Sequence, residues 1–223
     1  MELVKYSLVV PVYPKDFGCL QDVVKHINAF YVDESKYTID AVYIAASECG
    51  AAKAEELKQM CGECNYEIIV VPTESQGYPG ANRNRGWEEA LKRNPDGWMV
   101  FLDSDDHHHQ DKLHAVYEAI QLHPDATLFL HSFVFGKDKP AEWDARDMKT
   151  VRCENMKEPV VGGYWLYTGK NVHHGMATVR ASETLRYNAS KKDAEDTEFD
   201  ITLRNRGDGV VWWIDHELVA YYN

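Results

Sequence analysis

Four apolar segments in the first half of the chain predict the strands of a sheet. They are Tyr6 to Val12, Tyr37 to Ala45, Tyr66 to Val71 and Met99 to Leu102. The first and third end at prolines, which lack a backbone donor and so favour the end of a strand. The fourth is wholly apolar and has a glycine shortly before it, which is typical of a strand that is covered on both faces.

Helical patterns occupy the intervals between these segments. Apolar residues recur at helical spacing over residues 17–30, and good helix formers fill residues 51–60. Further helices are predicted over about 81–93 and 110–122, and residues 126–134 predict one more strand. This alternation indicates a mostly parallel sheet with right-handed crossovers and helices on both faces. The predicted fold class is therefore α/β, with a Rossmann-like sheet.

The pattern changes beyond about residue 136. Residues 136–175 contain Gly, Pro, Trp and Tyr without clear periodicity, which predicts long loops and short antiparallel strands. A helix is predicted over residues 195–206. A closing pair of strands, at 210–214 and 217–222, would complete this smaller antiparallel portion.

The length and composition suit one globular domain. The 223 residues are 44% apolar and 27% charged, which is ample for a substantial core. The sequence shows neither an internal repeat nor a linker, so we predict a single domain over residues 1–223. Its two parts would be residues 1–135, where strands and helices alternate, and residues 136–223.

The net charge and the cysteine content limit which binding partners and which cellular compartment are expected. The net charge of −12 argues against a nucleic-acid partner and against adhesion to anionic membranes. No apolar run approaches about 20 residues, so no membrane span is predicted. Five scattered cysteines and an N-terminus without a signal peptide favour a cytoplasmic location. Cys61 and Cys64 form a single CxxC pair, which is too little to predict a zinc or redox site.

Three carboxylates directly follow the most apolar strand. Asp103, Asp105 and Asp106 lie where the chain leaves this strand, and open α/β folds bind ligands at that edge of the sheet. Acids this close repel one another unless solvent or a cation relieves the repulsion. Mg²⁺ or Mn²⁺ suits the position, because hard cations take oxygen ligands and often keep a substrate phosphate. The alternative is an acidic turn in which Asp106 caps the helix that begins near Gln110.

A second segment offers positive charge to an anion. Residues 76–80 form a glycine-punctuated loop, and Arg83 and Arg85 follow it at the start of a predicted helix. Free backbone N–H groups and fixed positive charge at such a position suit a phosphate. The alternative is that both arginines are solvated residues of the first turn, which the helix dipole mildly disfavours.

Four segments, in this order, resemble the family 2 glycosyltransferases of the GT-A fold. They are Ser7–Tyr13, Gly80–Gly86, Leu102–Asp106 and Glu195–Asp200, the last followed by Arg204 and Gly207. The resemblance covers nearly the whole chain. It implies a divalent-metal-dependent enzyme that moves a sugar, with inversion, from a nucleotide-diphosphate-sugar to a hydroxyl of a carbohydrate or glycoconjugate acceptor.

The resemblance also assigns residues to the donor and its cation. In such enzymes the Asp-x-Asp carboxylates hold Mg²⁺ or Mn²⁺ against the diphosphate, and the second Asp is the more direct ligand. The implied metal ligands are Asp105 and Asp103, with His216 as an additional late histidine. The implied donor-binding residues are Pro11, Tyr13, Glu48, Arg83, Asp103, Ser104 and Asp105.

One turn departs from the family pattern. The family's second strand usually ends in acids that contact the nucleotide base, but here residues 45–50 read Ala-Ala-Ser-Glu-Cys-Gly. Only Ser47 or Glu48 is left to make a polar contact with the base. Asn82 also stands where the family more often has alanine. The sequence therefore predicts no particular base.

By resemblance, the general base and the acceptor belong to the second half of the chain. Transfer with inversion needs a carboxylate that takes the proton of the acceptor hydroxyl while its oxygen attacks. That role falls on Asp196, with Glu198 and Asp200 as competitors; the simpler alternative is acidic charge favoured by the helix dipole. The predicted acceptor-binding residues are Trp165, His174 and Glu195.

Two other functions stay open at this point. A nucleotidyltransferase also holds Mg²⁺ with acids at strand ends, but it normally has a glycine-rich phosphate loop where this chain has Pro11-Val-Tyr-Pro14. A glycan-binding module could keep the fold and lose turnover, and the altered turn after the second strand favours it. The histidines at 107–109 are predicted to face mostly solvent. The donor sugar, the acceptor and the oligomeric state are not predicted.

Overall fold

The structure is a computed structural model, and it describes residues 3–135, 149–153, 165–167, 170–206 and 210–221. The strands in these ranges are β1 (Val4–Val12), β2 (Tyr37–Ala46), β3 (Ile68–Pro72), β4 (Trp98–Phe101), β5 (His107–His108), β6 (Leu128–Phe135), β7 (Thr150–Arg152), β8 (Trp165–Tyr167), β9 (Lys170–Arg180) and β10 (Val211–Tyr221). The helices are a 3-10 helix (Pro14–Cys19), α1 (Leu20–Asn28), α2 (Ala51–Met60), α3 (Pro79–Arg93), α4 (Lys112–Leu122) and α5 (Glu195–Arg206).

The first four strands form the parallel part of the sheet. They lie side by side in the order β3, β2, β1, β4, and each neighbouring pair is parallel. The alternation of strands and helices in the sequence predicted this arrangement, and the structure confirms it. Because Val9 pairs with Phe101 in register, the carboxyl ends of β1 and β4 meet at one edge of the sheet.

The later strands make the rest of the sheet mixed. Strand β9 lies between β4 and β6 and is antiparallel to both. Strand β10 is parallel to β6, while β5 and β7 pair with β10 in the antiparallel sense. The predicted α/β class, with antiparallel strands in the second half, is confirmed. The insertion of β9 between β4 and β6 does not follow from the order of the elements along the chain.

Helices cover both faces of the sheet, and the two cores follow the alternation of side chains along β1. Leu8 and Val10 belong to one core, to which α1, α2 and α4 contribute apolar residues. Val9 belongs to the other, with Trp87 of α3 and Phe199 of α5, whose ring centroids lie 6.2 Å apart. Successive side chains of a strand face opposite sides, so the central strands are buried on both faces.

Two local predictions were wrong. The expected closing pair of strands is a single strand, β10, whose pairing with β6 is irregular between Ile214 and Glu217. A register shift of this kind leaves residues unpaired within one continuous strand. Asp106 does not cap a helix, because α4 begins at Lys112 and its N-cap residue is Asp111. Asp106 is instead buried, with 3% of its surface exposed.

The histidine run forms structure rather than a solvated turn. His107 and His108 make up β5 and pair with β10. His107 is exposed as predicted, but His108 is buried, and its Nε2 lies 3.3 Å from the carbonyl oxygen of Asp103. Burial lowers the pKa of His108, and the nearby Lys112 acts in the same direction. His108 is therefore a neutral, buried residue that contacts the backbone of the acidic segment.

Within the described residues, none of the helices has the length and apolar character that crossing a bilayer requires. All five cysteines are free thiols. Burial raises the pKa of Cys61 to about 11, and the neighbouring Cys64 adds to the increase. Thiols with a raised pKa are poor nucleophiles and poor metal ligands near neutral pH.

Candidate functional site

The carboxyl ends of β1 and β4 form one side of a cavity. The N–H of Leu102 donates to the carbonyl oxygen of Val9 at 3.0 Å, which carries the pairing of these strands to the edge of the sheet. Pro11 and Tyr13 therefore lie near the acidic segment that begins at Asp103. The cavity has a volume of about 140 Å³. Open α/β sheets bind their ligands at such positions.

Most of the predicted donor-binding residues line this cavity. They are Pro11, Tyr13, Arg83, Asp103, Ser104 and Asp105. Burial raises the pKa of Tyr13, so its phenol is neutral. Its hydroxyl has no hydrogen-bond partner among the residues that the structure describes. That oxygen is itself buried within the protein.

Sequence reasoning missed three further residues that line the cavity, Lys15, Asp16 and Pro79. The Asp16 side chain is 13% exposed and lies 3.7 Å from the Lys15 ammonium. Burial raises the pKa of Asp16; Lys15 opposes this shift, and the charge of Asp105 adds to it. Their position in the sequence could have indicated them, because the 3-10 helix begins shortly after β1 and keeps these residues at the edge of the sheet.

Asp105 experiences the repulsion between neighbouring carboxylates that the sequence predicted. Burial raises the pKa of Asp105, and the charge of Asp103 raises it further. Asp103 is held by Arg83, whose Nη2 lies 2.9 Å from Asp103 Oδ1. In the described ranges no ion pair of this kind reaches Asp105. Asp105 is therefore the carboxylate of this segment that gains most from a bound cation.

The residues around the cavity fit a Mg²⁺ or Mn²⁺ ion that shares its ligands with a substrate. Mg²⁺ commonly takes one or two protein carboxylates together with phosphate oxygens and water. Asp105 and Asp103 supply such carboxylates, and Asp16 adds negative charge nearby. Over the described part of the chain, no three His, Cys, Asp or Glu side chains are arranged to hold a metal by themselves. The cavity residues therefore suit a metal ion that binds together with a phosphate ligand.

Arg83 connects the acidic segment with α5. Its Nη2 donates to Asp103 and its Nη1 to Glu195, and its guanidinium lies 5.4 Å from the ring centroid of Tyr187. Burial on its own lowers the pKa of Arg83, but its anionic neighbours, Asp103 foremost, more than offset this and raise it. The alternative of a solvated first-turn arginine is wrong for Arg83, which is 4% exposed and lies in the second turn of α3.

Two other residues of α3 hold the segment that leads into α5. Asn84 donates to the carbonyl oxygen of Tyr187 at 2.8 Å and accepts the Tyr187 N–H at 3.0 Å. A Cβ at Gly80 would lie 2.9 Å from both Glu195 Cγ and Tyr187 Cβ. The absence of a side chain at Gly80 therefore permits the close approach, and Asn84 fixes it.

Asp196, the predicted general base, is the second residue of α5 and follows Glu195 directly. Its side chain is half-buried, and its charge is one of those that act on Arg83. Asp105 and Asp196 consequently lie at the same edge of the sheet. The connection between them runs from Asp103 through Arg83 to Glu195.

The competing carboxylates of α5 have other environments. Glu198 forms an ion pair with Lys191 at 3.0 Å, and the hydrogen bond from Lys191 lowers its pKa. Asp200 is 2% exposed. Among these acids, Asp196 alone combines partial exposure with proximity to Arg83.

Six predicted site residues are not among the described residues that line the cavity; two of them, Asp196 and Glu195, lie on α5, which Arg83 joins to it. Glu48 is exposed and does not line the cavity. His216 also does not line it; its ring packs edge to face against His109, with centroids 5.9 Å apart. Trp165 and His174 belong to β8 and β9, but their side chains lie outside the described residues.

Solved structures with a similar fold include three of S. aureus TarS. TarS 1–349 of S. aureus shares 16% identity with this chain at a TM-score of 0.65, with 98% of this chain and 60% of that chain covered. The same fragment in complex with UDP-GlcNAc gives 16% identity and a TM-score of 0.66, covering 99% and 59%. A further S. aureus TarS structure gives 16% and 0.64, covering 99% and 37%. This chain thus spans three fifths or less of those chains, and the likeness confirms the predicted GT-A fold.

None of the curated proteins matches this sequence significantly. A family profile does match: Glycosyl transferase family 2, over residues 7–182. The matched range includes Arg83, Asp103 and Asp105, and it ends before α5. It covers well over half of the 223 residues and includes three of the four sequence segments that resemble this family. The chain therefore belongs to glycosyl transferase family 2.

Proposed function

We propose that this chain transfers a sugar from a nucleotide-diphosphate-sugar to a hydroxyl of a carbohydrate or glycoconjugate acceptor, with inversion and with a divalent cation. One observation carries the proposal: Asp105 at the cavity and Asp196 on α5 are joined through Asp103, Arg83 and Glu195. Family membership supports the class of reaction. The UDP-GlcNAc complex of the TarS fragment supports a nucleotide-sugar as the donor.

The donor side of the reaction is assigned to the cavity. Asp105, with Asp103 beside it, would hold Mg²⁺ or Mn²⁺ together with the donor diphosphate. When bound, the cation supplies positive charge that stabilises the diphosphate as it leaves the sugar. Ser104 lines the same cavity, and a serine hydroxyl suits a hydrogen bond to a phosphate or ribose oxygen. Arg83 fixes the orientation of Asp103 through its hydrogen bond.

The acceptor side is assigned to α5. Asp196 takes the proton of the acceptor hydroxyl while the acceptor oxygen forms its bond to the anomeric carbon. The bond from that carbon to the diphosphate oxygen breaks on the opposite face, so the configuration inverts. Glu195 is held by Arg83 and thereby fixes the first turn of α5, in which Asp196 lies. Trp165 and His174 stay predicted acceptor contacts.

We further propose one domain over residues 1–223, with a donor part at 1–135 and an acceptor part at 136–223. Those described residues that line the cavity lie between positions 11 and 105, and the proposed base lies on α5, which supports this division. The cytoplasmic location stays a prediction from the sequence.

The test measures nucleoside diphosphate released from UDP-, GDP- and dTDP-linked sugars in the presence of Mn²⁺. Asp196→Asn is expected to lower the rate by about 10²–10⁴-fold, since a general base contributes roughly that much, while donor affinity is retained. Asp193→Asn, which removes an exposed carboxylate from the same segment, is the matched control and keeps the wild-type rate. Asp105→Asn is expected to abolish Mn²⁺-dependent donor binding.

The products discriminate between the remaining functions. NMR of the released sugar is expected to show inversion at the anomeric carbon. Retention, full activity in EDTA or wild-type turnover by Asp196→Asn would contradict the proposal. Release of pyrophosphate indicates a nucleotidyltransferase instead. Glycan binding without any donor turnover indicates a binding module.

A further inference from the structure

The 3-10 helix after β1 brings a lysine to the donor cavity. Lys15 is the second residue of this helix and lines the cavity together with Asp16. The N–H of Asp16 donates to the carbonyl oxygen of Tyr13 at 2.8 Å, and Phe17 is buried in one of the two cores. These contacts fix the backbone of the helix, whereas the Lys15 side chain is exposed. Lys15 therefore places a flexible cation at the border between the cavity and solvent.

The charges around the cavity leave a role for this cation. The described residues that line it include three carboxylates and two cations, namely Asp16, Asp103 and Asp105 with Lys15 and Arg83. Arg83 is already paired with two carboxylates, those of Asp103 and Glu195. A donor diphosphate adds further negative charge. Among the described lining residues, Lys15 is therefore the cation that can respond to a ligand.

The ion pair that Lys15 makes within the protein is weak. Its Nζ lies 3.7 Å from Asp16 Oδ1, which is longer than a hydrogen bond. Burial raises the pKa of both Asp16 and Asp105, and the positive charge of Lys15 opposes the increase at each. One ammonium thus partly neutralises two acids. Because an ion pair with an exposed partner contributes little to stability, Lys15 can leave these acids at low cost.

We propose that Lys15 is a donor-binding residue that changes its partner: it neutralises Asp16 and Asp105 before a divalent cation binds, and afterwards it binds a phosphate oxygen of the donor. This inference rests on the proposed function and adds a residue to its donor site. A cation held by Asp105 repels the ammonium from the acids. A lysine suits the exchange, since its compact charge lies on a flexible stem and carries three donors. Lys15 and the cation therefore compete for the carboxylates but bind the same diphosphate.

Two titrations of Lys15→Met test the exchange, because they are expected to change in opposite directions. For Mn²⁺ alone, followed by the electron paramagnetic resonance signal of the free ion, the variant should bind about two- to fivefold more tightly than wild type, since a competing charge is lost. For UDP, GDP and dTDP in saturating Mn²⁺, followed by calorimetry, the best ligand of wild type should bind the variant about tenfold more weakly, as loss of one charge-assisted hydrogen bond predicts. A merely structural role of Lys15 would not produce opposite changes.

Two further variants serve as controls. Lys25 is similarly exposed, forms an ion pair with Asp22 at 2.7 Å and does not line the cavity. Lys25→Met is therefore expected to keep both wild-type affinities. Lys15→Arg keeps the positive charge and its donors, so it should retain most of the affinity for the nucleotide.

The inference is overturned if Lys15→Met leaves either affinity unchanged, if it weakens the binding of Mn²⁺ alone, or if Lys25→Met gives the same changes. Those results leave the proposed function intact, because wild type still binds a nucleoside diphosphate with Mn²⁺. Failure of wild type to bind any of the three nucleotides would overturn the proposed function and this inference together.

Discussion

Arg83 of α3 donates a hydrogen bond to Glu195, the first residue of α5, which follows it 112 residues later in the chain. Both side chains are 5% exposed. Charges this far from water are costly unless each has its partner, so the pair makes the position of α5 depend on α3. The same arginine holds Asp103. Packing of the two halves and orientation of the acidic segment therefore depend on one side chain.

Removal of Arg83 should cost far more stability than removal of a surface cation. We expect Arg83→Met to lower the free energy of unfolding by about 3–5 kcal/mol, because Glu195 is left as an unpaired buried charge. The double variant Arg83→Met/Glu195→Gln should recover at least about 1 kcal/mol of the summed losses. Urea denaturation in EDTA measures both. As a control, Lys53→Met breaks the exposed Lys53–Glu56 pair and should cost about 0.5 kcal/mol or less. Strict additivity would contradict the coupling.

Gly80 should not tolerate a methyl group, because the Cβ would lie 3.1 Å from the carbonyl oxygen of Asn188 as well as against Tyr187 and Glu195. Gly80→Ala is expected to destabilise the protein by about 1–3 kcal/mol and to reduce donor turnover. Thermal denaturation and the donor hydrolysis rate are the measurements. Gly18→Ala is the matched control, since no atom lies within 4 Å of a Cβ there, and its stability should match or slightly exceed that of wild type. Equal effects at both glycines would refute the packing argument.

Asn84 should position the segment before α5 through its two hydrogen bonds to the backbone of Tyr187. We expect Asn84→Ala to cost about 1–3 kcal/mol, to speed hydrogen exchange at the Tyr187 amide and to lower kcat by about tenfold or more. Asn28 makes a similar pair of bonds, to the Glu63 carbonyl and from the Asn65 N–H, away from the cavity. Asn28→Ala should therefore lose stability without losing turnover. A kcat unchanged by Asn84→Ala would show that the contact is structural only.

Lys112 should make stability depend on pH in the alkaline range. Its ammonium is fully buried without a hydrogen-bond partner in the described ranges, and burial lowers the pKa of Lys112 from 10.5 to about 7. Between these two values the unfolded chain binds more protons at this residue than the native protein does, so stability rises with pH there. At lower pH both states are protonated, and the cost of burial is fully present.

Lys112→Met removes this dependence. Relative to wild type, the variant should be more stable at about pH 6, by an amount on the order of a few kcal/mol, and the advantage should shrink towards about pH 10. Urea denaturation of both proteins in EDTA at several pH values gives the difference. An advantage that stays constant with pH would show that the Lys112 pKa is not lowered in the native state.

The sequence by itself determined the elements whose side chains repeat with a regular period. Helix α2 has the predicted bounds, residues 51–60, and α5 has the predicted bounds, residues 195–206. The four parallel strands were found to within a few residues, and the acids were placed at the carboxyl end of β4. These features depend on local patterns in the sequence: the period of apolar residues, and helix formers and breakers within a few residues of one another.

Only the tertiary structure decided which residues meet. The link from Arg83 to Glu195 spans 112 residues, and that from Asn84 to Tyr187 spans 103. No local pattern encodes such pairs, because they depend on how helices pack after the sheet has formed. The same holds for Asn82, whose buried amide donates to Ser47 Oγ, 35 residues earlier in the chain. The residue types in the sequence indicated the chemistry of the site. Which side chains contact one another could be known only from the packed fold.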